Sequence, residues 1–218
     1  MYVVRRTITF VRGFLLSYGP SNIKRRLWDK EFSEGKWNFI DDTSGDCIYP
    51  HLEKYARNGD ILDLGCGPGN TANELATTAY RSYVGVDISE AALGKGVRRT
   101  KENGREDKNT FAQGDFLGYA PTQKFDVILF RESMYHIPFG QVRPILDKYS
   151  RYLNDGGVFI VRLYAADIKT GKIKSRVTSK LDLIKGAFDI VESCEYDTPG
   201  RPTVLVFRPR ENALVASF

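Results

Sequence analysis

The chain has 218 residues, of which 42% are apolar, 27% charged and 12% aromatic. That allows one sizeable core and excludes collagen-like, low-complexity and largely disordered classes. The net charge of +5 is confined to residues 1–40, which hold eight Lys/Arg against three Asp/Glu, while residues 41–218 hold 24 of each; a body without net charge argues against a large polyanionic substrate, so no nucleic-acid partner is expected.

In chain order, Val4, Ile8, Val11, Phe14/Leu15 and Tyr18 recur at helical spacing with Arg5, Arg6 and Arg12 nearby. This predicts a helix that packs its apolar stripe on the body, or a basic amphipathic segment that touches a membrane surface or covers a site. Gly19-Pro20-Ser21-Asn22 breaks the pattern, and a second short helix carries Leu27, Trp28 and Phe32. Residues 1–46 are read as a helical extension or lid, with Trp28, Phe32 and Trp37 either covering a site or simply packed. From residue 47 the pattern changes. Helices are expected over Ile48–Arg57 (stopped by Asn58-Gly59), Thr71–Thr78, Glu90–Glu102, Gln141–Leu153 and Thr178–Lys185. Strands are expected over Ile61–Leu64, Tyr83–Val86, Thr110–Gln113, Phe125–Phe130, Val158–Leu163, Phe188–Glu195 and Thr203–Phe207. Alternating strands and helices predict an α/β fold, a mostly parallel sheet covered on both faces. The turn at Thr198-Pro199-Gly200 is too short for a parallel crossover, so the last strand must be reversed. No apolar run approaches the ~20 residues of a membrane span. Phe14-Leu15-Leu16 is too short for a signal peptide, and Cys47, Cys66 and Cys194 show neither disulfide nor metal spacing. A cytoplasmic setting without a metal is expected.

The strongest motif is Asp63-Leu64-Gly65-Cys66-Gly67-Pro68-Gly69, placed between a strand and a helix. Glycines there let backbone approach a ligand closely. A dinucleotide loop would need glycine at position 70, which is Asn70, and no Lys-Ser/Thr follows for a P-loop. Asp63 would oppose a pyrophosphate and favour a ligand with a cationic end. This disfavours a nicotinamide oxidoreductase.

Ile61–Asn70 resembles the glycine loop of class I S-adenosylmethionine-dependent methyltransferases, and the resemblance runs from about Tyr49 to Arg208. Val84-Gly85-Val86-Asp87-Ile88-Ser89 is similar to the family's second strand, which ends in a ribose-binding acid. Gln113-Gly114-Asp115-Phe116 is similar to the segment that meets the adenine, and Phe125–Phe130 to the fourth strand. The resemblance implies a Rossmann-like three-layer sandwich with seven strands and S-adenosylmethionine as cofactor. It implies a cofactor site of Asp63, Gly65, Cys66, Gly67, Gly69, Asp87, Ile88, Asp115, Phe116 and Arg131. Cys66 counts there as a small residue rather than a reactive thiol. Arg131 anchors an anionic group or forms a salt bridge to the body.

The acceptor segment reads Arg131-Glu132-Ser133-Met134-Tyr135-His136-Ile137-Pro138. It lacks both the Asn/Asp-Pro-Pro-aromatic tetrapeptide of nucleic-acid amino-methylating enzymes and the cysteine of cytosine-carbon enzymes. The implied acceptor is therefore a small molecule, methylated at oxygen ahead of nitrogen, such as a sugar or secondary metabolite. His136 is read as the base or the group that orients the acceptor, or as a packed histidine; Tyr135 as a pocket wall; and Glu132 as a contact to cofactor or acceptor. His51 is read as structural. The lysines of Tyr164–Ser175 form an exposed acceptor-side loop or a merely solvated one. An RNA methyltransferase gripping through residues 1–40 and a non-catalytic cofactor-binding module remain the alternatives.

Overall fold

The fold is seen in a computed structural model that describes residues 11–210. The helix expected over 1–18 falls partly outside them; residues 11–18 are helical. Seven strands form one sheet: β1 (Gly59–Leu64), β2 (Tyr80–Asp87), β3 (Asn109–Gln113), β4 (Phe125–Arg131), β5 (Leu153–Tyr164), β6 (Asp189–Glu195) and β7 (Pro202–Arg208). Their order is β3-β2-β1-β4-β5-β7-β6. β7 is antiparallel to both β5 and β6, and every other pairing is parallel. The short β6–β7 connection enforces that reversal.

The helices are α1 (Ser21–Ser33), α2 (Ile48–Ala56), α3 (Asn70–Glu74), α4 (Glu90–Glu102), α5 (Phe139–Ser150) and α6 (Ser175–Ala187). Alternation along each strand divides the core between the two faces of the sheet. Leu62, Ile128 and Phe159 pack with Leu146, Leu181 and Ile184 of α5 and α6. Ile61, Val127, Leu129 and Ile160 pack with Leu52, Ala72 and Leu93 of α2, α3 and α4. The central strands are buried on both sides, which is why they read as unbroken apolar runs.

Several boundaries differ from the pattern-based reading, β2 and α6 each starting three residues early, and three of the differences have a local cause. α3 ends at Glu74 because Leu75 turns extended into the core, where Arg105 Nη1 donates to the freed carbonyls of Ala72 and Leu75 at 3.0 and 2.7 Å. α5 stops at Ser150, and Leu153 opens β5 instead of closing the helix. β5 starts five residues early because its pairing with β4 shifts register between Phe125 and Val127, a slip that the left-handed Gly156 accommodates.

The chain runs outward from β1 through β2 to β3, then returns to β4 on the other side of β1. Between the carboxyl ends of β1 and β4 lies the topological switch point, where open α/β sheets bind ligands.

Candidate active site

The turn after β1 holds Gly65, Gly67 and Gly69 at φ of 83°, 54° and 69°, a region costly for side chains. A Cβ on Gly65 would come within 2.5 Å of Ser133 Cβ, so only glycine lets the two strand ends meet. The Gly67 N–H donates to Asp87 Oδ2 at 2.9 Å, and the Ser89 N–H donates to Asp87 Oδ1 at 2.9 Å. Asp87 therefore ties the turn to the end of β2. Ser89, not Asp87, caps α4. Burial raises the Asp87 carboxyl above its usual range.

This turn borders a cavity of about 400 Å³. Asp63, Gly65, Cys66, Gly67, Asp87, Ile88, Asp115, Phe116, Arg131, Glu132, Tyr135 and His136 all line it, although they come from four separate segments. Gly69 is set back from that wall. It packs instead beneath Phe111 and Gly96, where an added Cβ would meet ring carbons at 2.9 Å. Two buried oxygens on the cavity wall, Asp63 Oδ1 and Ser133 Oγ, have no hydrogen-bond partner among the described residues. The other Asp63 oxygen accepts from Tyr83 at 2.8 Å. Burial pushes the Asp63 carboxyl up to about 6 despite that bond. Cys66 is buried, and burial together with Asp87 pushes its thiol up, so it is a packed small residue rather than a nucleophile.

Beneath the acceptor segment runs a buried network of alternating charge. Asp46 bridges Arg131 Nη2 at 3.0 Å and Arg162 Nη2 at 3.1 Å. Arg131 also donates to Tyr49 Oη and Thr71 Oγ1. It stands on the cavity wall, and its salt bridge runs to Asp46, which the sequence division places in the extension and not in the body. Burial opposes the charge on Asp46, yet the two guanidinium groups hold its carboxyl below the usual range. Arg162 also pairs with Glu132, whose other oxygen accepts the Tyr135 hydroxyl at 2.6 Å. Burial raises Glu132 nonetheless. Glu132 sits at φ 56°, a strained conformation for a residue with a side chain, just past the end of β4.

His136 lies in a single 3-10 turn, Met134–His136, and meets the Trp28 ring edge-on at 5.1 Å. Burial, then Arg12 and Lys180, lower its pKa to about 4, so the imidazole is neutral near pH 7. The turn is held from below by Lys180 of α6, whose Nζ donates to Met134 O at 2.7 Å and Tyr135 O at 3.2 Å. Burial, then Arg176, push this ammonium down to about 8.

The helical segment 11–18, α1 and the segment after it cover the opening: Leu16, Trp28, Phe32, Trp37 and Phe39 line the cavity from above. Lys24 Nζ and Ser21 Oγ both donate to Asp115 Oδ2, at 2.9 and 2.8 Å. Asp29 accepts from Ser89 Oγ and the Ala91 N–H at the start of α4. Asp46, Arg162, Lys180 and Ser133 were not singled out from the sequence. The partners of the first three lie up to 116 positions away, and no local pattern marks any of the four. His51 lies outside the cavity, bonded to Tyr196 and Glu192. The fold brings His51, Glu192 and Cys194 within 4.8 Å of one another, a grouping that the sequence spacing hid, and Lys54 balances Glu192 there.

Residues 56–197 match the family model described as a methyltransferase domain. The chain belongs to that family, the class I S-adenosylmethionine-dependent methyltransferases. The methyltransferase is 31% identical over 100 residues to a sterol 24-C-methyltransferase of Gibberella zeae, covering 45% of this chain and 26% of that protein. It is 27% identical over 139 residues to the 27-O-demethylrifamycin SV methyltransferase of Amycolatopsis mediterranei, covering 61% of this chain and 50% of the relative. It thus spans a quarter to a half of these curated relatives. In fold it matches the N-methyltransferase NodS of Bradyrhizobium japonicum, solved with S-adenosylhomocysteine, at a TM-score of 0.65 and 20% identity over 86% of this chain and 98% of that one.

The residues present fit the family's cofactor. The unpartnered Asp63 Oδ1 and Ser133 Oγ suit a ligand with a cationic, hydrogen-bonding end. A Cβ on Gly67 would stand toward the cover, in van der Waals contact with Phe32 at 3.9 Å, so the bare backbone leaves that gap to a close ligand. Asp87 at the strand end still has lone pairs for sugar hydroxyls. Among the described residues no helix is long and apolar enough to cross a membrane.

Proposed function

We propose that the methyltransferase transfers the methyl group of S-adenosylmethionine to an oxygen of a small, largely apolar acceptor. The carrying observation is the convergence of the glycine turn, Asp87, Asp115 and the segment 131–136 on one cavity with an aromatic cover. When bound, the cofactor supplies a methyl group on a positively charged sulfur. Asp87 and the Gly67 backbone hold its sugar, Asp63 and Ser133 its cationic end, and Ile88, Asp115 and Phe116 the purine. Methyl transfer is an in-line displacement, so alignment and exclusion of water are what the protein must provide.

His136 accepts the hydrogen of the acceptor hydroxyl. Its imidazole is neutral at pH 7, so its free lone pair can orient that hydroxyl and receive the proton as the oxygen attacks. Glu132 and Tyr135 are bonded to each other, and the Tyr164 N–H donates to the Tyr135 hydroxyl at 2.7 Å. They form a fixed wall that sets the approach of the acceptor. Trp28, Trp37, Phe39 and Ile168 keep water out and receive an apolar body. Oxygen is the acceptor atom of the rifamycin relative, whereas the sterol relative methylates carbon and NodS nitrogen, so the acceptor panel decides among them. An RNA grip through residues 1–40 is less well supported, because Arg12 and Lys24 are turned inward onto Glu31 and Asp115.

The test is S-adenosylhomocysteine release with a panel of small hydroxylated and amine acceptors. His136→Ala should lower turnover with little change in cofactor affinity. Unchanged turnover removes His136 from this role. Tight cofactor binding with no turnover across the panel returns the chain to a non-catalytic binding module.

A further inference from the structure

Two exposed apolar side chains stand at the cavity, and the segments that reach it through Leu16 and Ile168 expose others. Phe39 and Ile168 line it while 75% and 54% exposed. The helical segment 11–18 turns Leu16 inward to the cavity. On its other side Val11, Phe14 and Tyr18, spaced i, i+3 and i+7, are 49%, 56% and 63% exposed, and Phe14 stacks on Tyr18 at 5.2 Å. After β5 the chain folds back through a bridge between Ala166 and Ile173, which carries Ile168 and the 47% exposed Ile173 beside Lys169 and Lys172. The one acid in this loop, Asp167, is engaged in its own turn, accepting from the Lys169 and Thr170 N–H groups. Large exposed apolar side chains on the segments that border one opening mark a surface that meets something apolar.

We propose that this rim docks on an anionic lipid bilayer and that the acceptor enters the cavity from the bilayer. Charge selects the occupant. Lys169, Lys172, Arg25 and Arg26 are exposed, while Arg12 and Lys24 are paired with Glu31 and Asp115 and carry none of this charge. A second copy would set like charge against like, whereas anionic headgroups complement it while apolar side chains enter the interface. Docking rests on the rim alone; the link to the acceptor rests on the proposed function.

The experiment is co-sedimentation of the full chain with phosphatidylcholine vesicles, with and without phosphatidylglycerol, at low and high salt. Binding should need the anionic lipid and weaken with salt. Phe14→Glu and Ile173→Glu, neither of which lines the cavity, should each weaken it about tenfold or more, the effect of one large apolar side chain leaving the interface. Calorimetry should show S-adenosylhomocysteine affinity unchanged in both variants. No binding to anionic vesicles, binding unmoved by both substitutions, or a dimer in sedimentation that Phe14→Glu dissociates would each overturn the docking. Absence of S-adenosylhomocysteine binding by the unaltered chain would instead sink the proposed function and leave docking standing.

Discussion

The neutral state of His136 can be measured through stability. Its folded pKa of about 4 lies below the unfolded value of 6.5, chiefly through burial. Between these values the unfolded chain binds more protons, so stability falls as pH falls: it is fully present above 6.5 and lost progressively down to 4. By linkage the loss reaches about 3 kcal/mol below pH 4, and between pH 7.5 and pH 5 it is about 2 kcal/mol. His136→Gln keeps an uncharged group of similar size against Trp28 and removes the titration. Urea unfolding of both proteins at the two pH values gives a difference of differences in which all other groups cancel. The unaltered chain should lose about 2 kcal/mol more than the variant. Parallel losses would mean that His136 is protonated freely in the folded state, and the argument for a neutral proton acceptor would fail.

Other expectations follow from the same wall of the cavity. Asp63 is protonated below about 6, so a ligand with a cationic end must displace that proton; S-adenosylhomocysteine affinity in calorimetry should fall up to about tenfold per pH unit below 6 and stay flat above it. An unchanged affinity at pH 5 would remove Asp63 from the site. Lys180→Met removes a buried ammonium held only by carbonyls among its described hydrogen bonds; stability should change by less than about 1 kcal/mol, turnover should fall severalfold, and the His136 titration seen by NMR should move up. Gly69→Ala combines a left-handed φ with a 2.9 Å contact to the Phe111 ring and should cost about 2–4 kcal/mol in chemical denaturation.

Local patterns made the sheet legible. The runs Ile61–Leu64 and Phe125–Phe130 are buried on both faces and could be read as parallel strands, and the Pro199-Gly200 turn required the reversed β7. The part of the cavity lining built by the glycine turn and Asp87 was equally legible, because glycine spacing and an acid at a strand end are imposed by backbone geometry within a few residues. The acceptor half was legible only in outline. His136 and Tyr135 fall where the fourth strand pointed, but what fixes them comes from afar: Lys180 from α6, Arg162 from β5 and Trp28 from α1. Gly69 shares the motif with Gly65 and Gly67, and only the packing of Phe111 separates its role from theirs.

Asp46 sets the limit of the two-part division, since a boundary after residue 46 assigns it to the extension. Its carboxylate is the shared counter-ion of Arg131 and Arg162, both deep in the body, and a neighbouring residue of the same segment, Thr43, donates to Glu74. Without Asp46, Arg162 keeps Glu132, while Arg131 keeps only the hydroxyls of Tyr49 and Thr71 among its described partners. A guanidinium left buried without a counter-ion is strongly destabilising, by about 3–5 kcal/mol. Asp46→Asn keeps the shape and removes the charge, so it should lower stability by about that amount in urea unfolding. A chain beginning at residue 47 should lose at least as much, although every strand remains. If Asp46→Asn unfolded at the same urea concentration as the unaltered chain, water or a shifted side chain would have to balance Arg131, and the extension could be treated as a separate cover. If the loss appears, residues 38–46 are a wall of the methyltransferase body, and only the part before them is free to act as a lid.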